Sequence, residues 1–284
     1  MMPKIGIIGG SGLYKIDALK DVKEVAVRTP FGEPSDNFII GNLGGVEVAF
    51  LARHKRGHTI LPTELNYRAN IYAMKKLGVE QLISISAVGS FKRELKPMDI
   101  VLPDQFVDRT NQGRKTTFFG EGVVAHISFA NPVCEDLRKI IYDAAKKLKL
   151  AAHDKGTYIN MEGPAFSTRA ESLLYKSWGM DIIGMTNMPE ARLAREAEMC
   201  FAAIAMVTDY DCCYEEEVNI EMVICNLLKN VDTAKSLIKE TVPKVPAERK
   251  CGCKDALKYA IVTDKKLIPE STKQKLDIII GKYL

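Results

Sequence analysis

Two carboxylates close an apolar run. After Ala205-Met206-Val207-Thr208 come Asp209, Tyr210 and Asp211. In extended chain, residues i and i+2 point to the same face. Asp209 and Asp211 are therefore aimed together at whatever lies beyond the strand end, and open α/β sheets place their ligands there. A carboxyl pair can share one proton, or one acid can be kept neutral by its surroundings. That chemistry suits a ligand with one atom to protonate and one amino group to bind. The alternative for an isolated Asp-x-Asp is a solvated turn or a helix N-cap.

Four further segments offer groups for an anion. Gly9-Gly10-Ser11-Gly12 follows a strand, and its backbone N–H groups and the Ser11 hydroxyl could cradle a phosphate. Gly6, Gly9 and Gly12 do not fit GxGxxG and no Walker lysine follows, which argues against a nucleotide cofactor. Arg53-His54 comes directly after a strand. A guanidinium there can grip a phosphate with two hydrogen bonds and the imidazole can donate another; a solvated strand end is the alternative. Ser86-Ala87 ends a third strand and Met185-Thr186 a fourth. Converging, Ser11, Arg53, Ser86 and Thr186 would make a site for inorganic phosphate. Phe166, in the loop that follows Glu162-Gly163-Pro164, could stack on a heterocycle or merely anchor the loop.

The elements that must position these groups alternate between strand and helix. Strands are expected over Lys4–Ile8, Gln81–Val88, Asp99–Val107, Gly156–Met161, Asp181–Met185 and Cys200–Thr208. A hairpin is expected over Asn37–Arg53, turning at Gly44-Gly45. Helices are expected from Pro62 to Gly78 with Thr63 as N-cap, over Pro132–Leu148, Arg169–Trp178, Pro189–Met199 and Asn219–Thr241, and from Pro269 onward. Such alternation gives an α/β fold, with a central mixed β-sheet flanked by helices on both faces. No repeat, low-complexity tract or boundary divides residues 1–284, so a single domain is expected.

Composition narrows the function classes. At 284 residues with 46% hydrophobic residues, one large core can be buried. The net charge of +4 is mild and spread out, which speaks against nucleic acid or a membrane surface as partner. The apolar start at Ile5–Ile8 is too short for a signal peptide, and no run approaches the roughly 20 residues of a membrane span. A cytoplasmic protein is expected. Seven cysteines are many for such a protein: Cys134, Cys200, Cys212, Cys213, Cys225, Cys251 and Cys253. No CxxC pair occurs and there are 4 histidines, so no metal site is expected. Cys251-Gly252-Cys253 is either two exposed loop thiols or a redox pair. Sparse glutamine beside abundant Lys and Glu leans towards a thermophilic source, where intracellular disulfides are less rare.

Taken in order, the motifs resemble one family. Gly6-Ile7-Ile8-Gly9-Gly10-Ser11-Gly12-Leu13, Thr29-Pro30-Phe31-Gly32 and Leu51-Ala52-Arg53-His54 are similar to the 5′-methylthioadenosine phosphorylases, in the trimeric branch of the purine nucleoside phosphorylases. So are Met161-Glu162-Gly163-Pro164 with Phe166-Ser167, Arg169-Ala170-Glu171-Ser172, Gly184-Met185-Thr186 and Thr208-Asp209-Tyr210-Asp211-Cys212. The likeness runs through nearly the whole chain to about Val223.

The resemblance implies phosphorolysis of 5′-methylthioadenosine to adenine and 5-methylthioribose 1-phosphate. Inorganic phosphate would be co-substrate, and neither cofactor nor metal would be needed. It implies a phosphate site of Ser11, Arg53, His54, Ser86, Ala87 (through its backbone) and Thr186. Met185 would lie under the ribose, Phe166 and Ser167 near the base, and Asp209 and Asp211 against the purine. Val218, Val223 and Ile224 would wall the methylthio group. His126 would reach a neighbouring subunit's site, which implies a homotrimer or a dimer of trimers. The Cys-Gly-Cys resembles thermophilic archaeal members that are disulfide-bonded, although the sequence does not give the pairing.

The chemistry agrees with this. Cleavage of an N-glycosidic bond passes through an oxocarbenium-like state, and the base leaves once N7 is protonated, which Asp209 can do if burial raises its pKa. Asp211 can accept from a 6-amino group. Branch members acting on 6-oxo purines generally carry Asn at the first of these two positions, so two aspartates favour adenine. A broader purine nucleoside phosphorylase is the runner-up. A water-using nucleosidase and a non-catalytic nucleoside-binding protein are further alternatives. Cys213, where some relatives have Trp, and Gly57, where relatives can have Gln, leave selectivity at the 5′ pocket open.

Overall fold

The computed structural model describes residues 4–10, 12, 13, 15–111, 113–211 and 220–284, so Ser11 and Val218 lie outside the described residues. The apolar runs form the middle of an eleven-stranded mixed sheet. β1 (Ile5–Gly9) is buried along its whole length. It lies between β4 (Val46–Ala52) and β5 (Gln81–Ser90), parallel to both. β5 pairs in parallel with β11 (Cys200–Tyr210), whose first eight residues are all buried. Strands buried on both faces read as continuous apolar runs, and Phe201–Val207 is such a run.

β3 (Phe38–Leu43) joins β4 through Gly44 and Gly45, at φ +61° and +88°. Those angles suit a two-residue hairpin turn and are open to glycine at little cost. On the other side, β5 pairs antiparallel with β10 (Ile182–Gly184), which continues to β9 (Thr157–Met161) and β7 (Gln105–Arg109). β6 (Ile100–Val101) leans on β11, and β8 (Ala152–His153) on β6.

Helices cover both faces. Leu137, Ile141, Ala144 and Ala145 of α2 (Glu135–Lys147) pack with Ala234, Leu237 and Ile238 of α5 (Ile220–Thr241) and the strand residues Ile7, Ile83 and Ile204. On the other face, Ile71 and Met74 of α1 (Tyr67–Lys76) meet Ala191 and Ala194 of α4 (Asn187–Glu196). The remaining helices are α3 (Arg169–Ser177) and two short terminal ones, α6 (Glu270–Lys275) and α7 (Asp277–Ile280).

Some expectations shift. α1 is capped by Asn66, whose side chain accepts from the Ala69 N–H at 3.1 Å, and not by Thr63. The expected strand over Asp99–Val107 is two strands, β6 and β7, broken around Pro103, which has no N–H for a ladder. α4 begins at Asn187, with Pro189 still inside the first turn, where its missing N–H costs nothing. The exposed, charged edge strand β2 (Lys20–Val25) carries no apolar signal and was not expected.

Candidate active site

Asp209 and Asp211 lie where β11 leaves the core. The ladder with β5 slips between Val207 and Asp209, so that Asp209 sits opposite Gly89 and Tyr210 opposite Ser90. This bulge leaves both acids on one face. A Cβ added at Gly89 would lie 3.3 Å from Asp209 Oδ2 and 3.4 Å from Asp211 Cβ. The glycine therefore gives the carboxylates their room.

Burial raises the Asp209 pKa, a bond donated by Thr208 Oγ1 (2.6 Å) opposes this, and the charge of Asp211 adds to it; the result is about 6. Asp211 is buried, accepts from Ser172 Oγ at 2.5 Å, and donates its backbone N–H to Ser90 O at 2.9 Å. Ser172 stands on α3, whose start is fixed by a reciprocal capping box between Thr168 and Glu171. Asn226 and Asn230, from α5, donate to Thr208 O (2.8 Å) and Val207 O (3.1 Å). They bond carbonyls on either side of the bulge, of which Val207 O also accepts from the Met98 N–H at 2.9 Å.

The anion candidates share one buried network. Arg53 emerges from β4 and is 3% exposed. Its Nε and NH2 donate to Glu190 Oε1 (2.6 Å) and Oε2 (3.0 Å), NH2 also to Ser84 Oγ (2.6 Å), and NH1 to Ile85 O (2.8 Å). Among the described residues, these bonds occupy four of the five guanidinium N–H groups, leaving one at NH1. Burial, the largest single influence, would lower the Arg53 pKa, but the charge and hydrogen bonds of Glu190, with smaller contributions from Tyr67 and Tyr158, together raise it. Ser84 Oγ donates on to Glu190 Oε2 (2.5 Å) and accepts from Asn187 Nδ2 (2.5 Å), while Ser86 Oγ donates to Asn187 Oδ1 (2.7 Å). Arg53 thus makes its bidentate contact with Glu190, which holds the guanidinium rigidly in the core.

His54 follows Arg53 directly and faces a backbone carbonyl. Burial first, then the adjacent Arg53 charge, lower its pKa to about 4. Nδ1 lies 2.8 Å from Ile60 O. A carbonyl can only accept, so Nδ1 carries the proton and Nε2 presents a lone pair. Nε2 is suited to accept from a protonated phosphate oxygen. Thr186 is buried at the N-terminus of α4 and makes no side-chain cap bond, so the first-turn N–H groups and the positive end of the helix dipole sit beside its hydroxyl. Ala87 is exposed, one residue beyond Ser86.

A loop on the far side of β10 is pinned from below. Arg114 is paired with Glu162 (Nε to Oε1, 2.7 Å) and donates to Met185 O (2.5 Å) and Glu162 O (2.6 Å). Asn160 Nδ2 also donates to Met185 O, at 3.2 Å. Gly163, at φ +72°, leaves no space for a Cβ, which would fall 2.5 Å from Met185 Sδ. The Gly163–Pro164 peptide is cis. Beyond it Phe166 is 49% exposed, and Ser167 is buried with its hydroxyl 3.6 Å from Met161 Sδ. On α5, Val223 is half-buried and Ile224 is 52% exposed.

His126 is not brought to this site. It is exposed and lines a cavity of about 480 Å³ with Cys134, Arg195, Cys251 and Cys253. Cys200, at the opposite end of β11 from Asp209, marks that end of the fold. Ten residues at about 3.3 Å per residue put the two ends on the order of 30 Å apart. The Cys-Gly-Cys segment also differs from a loop of exposed thiols: Cys253 is buried and Cys251 half-buried.

Sequence reasoning missed Arg114, Asn187 and Glu190, and met Glu162 and Ser172 only as motif members without a role. Each is a polar side chain buried or held inside the fold, and the sequence does not pair residues as distant as Arg53 and Glu190.

The chain matches the family model of the phosphorylase superfamily over residues 4–243, and it belongs to that superfamily. Among its relatives is an S-methyl-5′-thioadenosine phosphorylase of Geobacter sulfurreducens, 58% identical over 99% of both chains. Another, of Thermofilum pendens, is 52% identical over 91% of this chain and 98% of its own. A solved methylthioadenosine phosphorylase from an Antarctic soil metagenomic library superposes with a TM-score of 0.94 at 48% identity, covering 98% of this chain and 99% of its own. The Schistosoma mansoni methylthioadenosine phosphorylase in complex with adenine has a TM-score of 0.84 at 39% identity, over 90% and 96%.

Proposed function

We propose that this chain cleaves 5′-methylthioadenosine with inorganic phosphate, giving adenine and 5-methylthioribose 1-phosphate. The observation that carries the proposal is the carboxylate pair at the end of β11. Asp209, held near a pKa of about 6, is roughly one-tenth protonated at pH 7 and can give its proton to N7 as the base departs. Asp211, oriented by Ser172, accepts from the 6-amino group. A 6-oxo purine offers an acceptor there and would set an oxygen lone pair against the carboxylate in place of the N–H.

Phosphate attacks C1′ from the opposite face of the sugar. Its oxygens are met by Ser11, the Ser86 hydroxyl, the Ala87 backbone, Thr186 with the helix N-terminus, the remaining Arg53 N–H and the His54 lone pair. The positive end of α4 favours the attacking phosphate, whose negative charge in turn faces the oxocarbenium-like sugar. Met185 packs under the ribose, Phe166 and Ser167 border the base, and Val218, Val223 and Ile224 enclose the methylthio group. His126 serves a neighbouring subunit's site, which makes the working unit a trimer or a dimer of trimers. No cofactor takes part. The chain acts as one domain, in the cytoplasm.

The test is adenine release from 5′-methylthioadenosine with and without phosphate, with inosine in parallel. Strict phosphate dependence with little inosine cleavage is expected. Release without phosphate would make the protein a hydrolase, and brisk inosine cleavage would remove the base-selecting role of the two aspartates.

A further inference from the structure

Four cysteines distant in sequence meet at one point. Cys134 is the N-cap of α2, Cys200 is the first residue of β11, and Cys251 and Cys253 flank Gly252 at the entry of a 3-10 turn over Gly252–Asp255. Their Sγ atoms all lie within 4.8 Å of one another, and those of Cys200 and Cys251 are 3.2 Å apart. Three of the four are buried and Cys251 is half-buried.

We propose that these four thiols are a structural site for a thiophilic divalent cation, with zinc as its occupant. The geometry distinguishes this from two disulfides. Two disulfides require only two of the six sulfur–sulfur distances to be short, whereas a shared central ligand requires all six to be. A tetrahedron of sulfurs about 2.3 Å from zinc has edges of about 3.8 Å, so a cluster bounded by 4.8 Å can close on the ion with side-chain adjustments of about 1 Å or less. Four thiolate ligands and no open position define a closed, structural site, and tetrahedral sulfur donors select zinc over the hard cations.

Binding is balanced as Zn²⁺ plus four thiols giving a tetrathiolate of net charge −2 plus four protons. Arg195 borders the same cavity as Cys134, Cys251 and Cys253, with its guanidinium held by Ser128 O (3.2 Å) and Asn131 O (2.7 Å), and its charge offsets part of that −2. The cavity is also the entry path for the ion. The absence of CxxC pairs hid the site in the sequence, because only Cys251 and Cys253 are close in sequence and the other two donors come from a helix cap and a strand start.

The site would anchor chain that lies beyond the family match, which ends at residue 243. Past the 3-10 turn, the Val262 N–H donates to Val124 O (2.9 Å), the His126 N–H donates to Ala260 O (2.8 Å), and Ala125 bridges Ile261. The ion would tie this C-terminal layer to α2 and to the central strand β11.

The experiment uses the full chain, purified under reducing conditions without chelator. Elemental analysis is expected to give about one zinc per chain. Exchange for Co(II) should give the visible and charge-transfer bands of a tetrahedral tetrathiolate, and the intact mass should not change on reduction. Cys253→Ser should lose the metal and melt several degrees lower. Cys225→Ser, an exposed cysteine on α5 outside the cluster, should keep both. Should Cys253→Ser fail to fold, the Co(II) spectrum of the unaltered chain decides independently. No uptake of Zn(II) or Co(II), a Co(II) spectrum with fewer than four thiolates, or a mass that rises on reduction through bonds among these cysteines would each overturn the proposal.

Discussion

Replacing Asp209 by Asn keeps the shape and hydrogen bonds of the side chain but removes its transferable proton. Positioned acid–base groups typically contribute 10²–10⁴-fold, so kcat/KM for 5′-methylthioadenosine should fall by roughly 10²-fold or more at pH 6. The structure also gives the pH dependence of that deficit. With a pKa of about 6, the protonated fraction falls from about one half at pH 6 to about one hundredth at pH 8. The ratio of wild-type to variant kcat/KM should therefore contract by roughly 50-fold across those two units, because kcat/KM follows the free enzyme's ionisations. Phosphate titrates in the same range, so the informative quantity is the ratio at each pH and not either profile alone. The assay is initial-rate adenine release at saturating phosphate from pH 5.5 to 8.5, with the variant's melting temperature checked in parallel. A variant as fast as wild type would remove Asp209 as the acid. A large deficit that stayed constant over the range would mean that Asp209 acts only as a fixed hydrogen-bonding group.

Three other perturbations follow from the described contacts. Arg53→Ala should raise the phosphate concentration needed for half-maximal rate, and by stranding the buried Glu190 it should also cost about 3–5 kcal/mol of stability; paired phosphate titrations and denaturant melts check this, and an unchanged phosphate requirement would exclude Arg53 from the anion site. Burial first, against bonds from the Phe118 N–H and Thr117 hydroxyl, raises the Glu196 pKa from 4.5 to about 7. A raised acid pKa favours the fold below about 4.5 and loses that contribution as pH rises through 7, so Glu196→Gln should gain on wild type between pH 5 and 8 by on the order of 3 kcal/mol; parallel melting-temperature curves would contradict this. Gly163→Ala places a side chain at φ +72° and into Met185, costing about 1–2 kcal/mol and raising KM for the nucleoside more than for phosphate, which a two-substrate kinetic analysis can separate.

The central strands were legible because a strand buried on both faces must be apolar throughout, as in Ile5–Ile8 and Phe201–Val207. Boundaries failed where a local polar device decides them: Asn66 outcompetes Thr63 as a cap because its side chain reaches the Ala69 N–H. The site was legible where chemistry clusters in short motifs, as in Thr208–Asp211 and Arg53–His54. It was not legible where a residue acts through a partner far along the chain. Glu190 reads as an ordinary helical acid until the fold sets it against Arg53, and Arg114 until it closes on Glu162. His54 shows a third limit: its residue type does not say which ring nitrogen donates, and the carbonyl that Nδ1 faces decides that.

The slip in β11 between Val207 and Asp209 also separates two kinds of evolutionary change. Upstream, each residue from Cys200 to Val207 is locked in ladder and core, so substitutions there are judged by the stability of the whole sheet. Downstream, Asp209 and Asp211 face Gly89, and under the proposed function their replacement would alter which base is accepted while leaving the ladder unchanged. A one-residue deletion between the bulge and Asp211 would be of another order, because it would change the parity of the segment and turn an acid away from the site. Under the proposed function, a substitution at the strand tip would change the base-facing group without changing the register, whereas a one-residue insertion or deletion would change both.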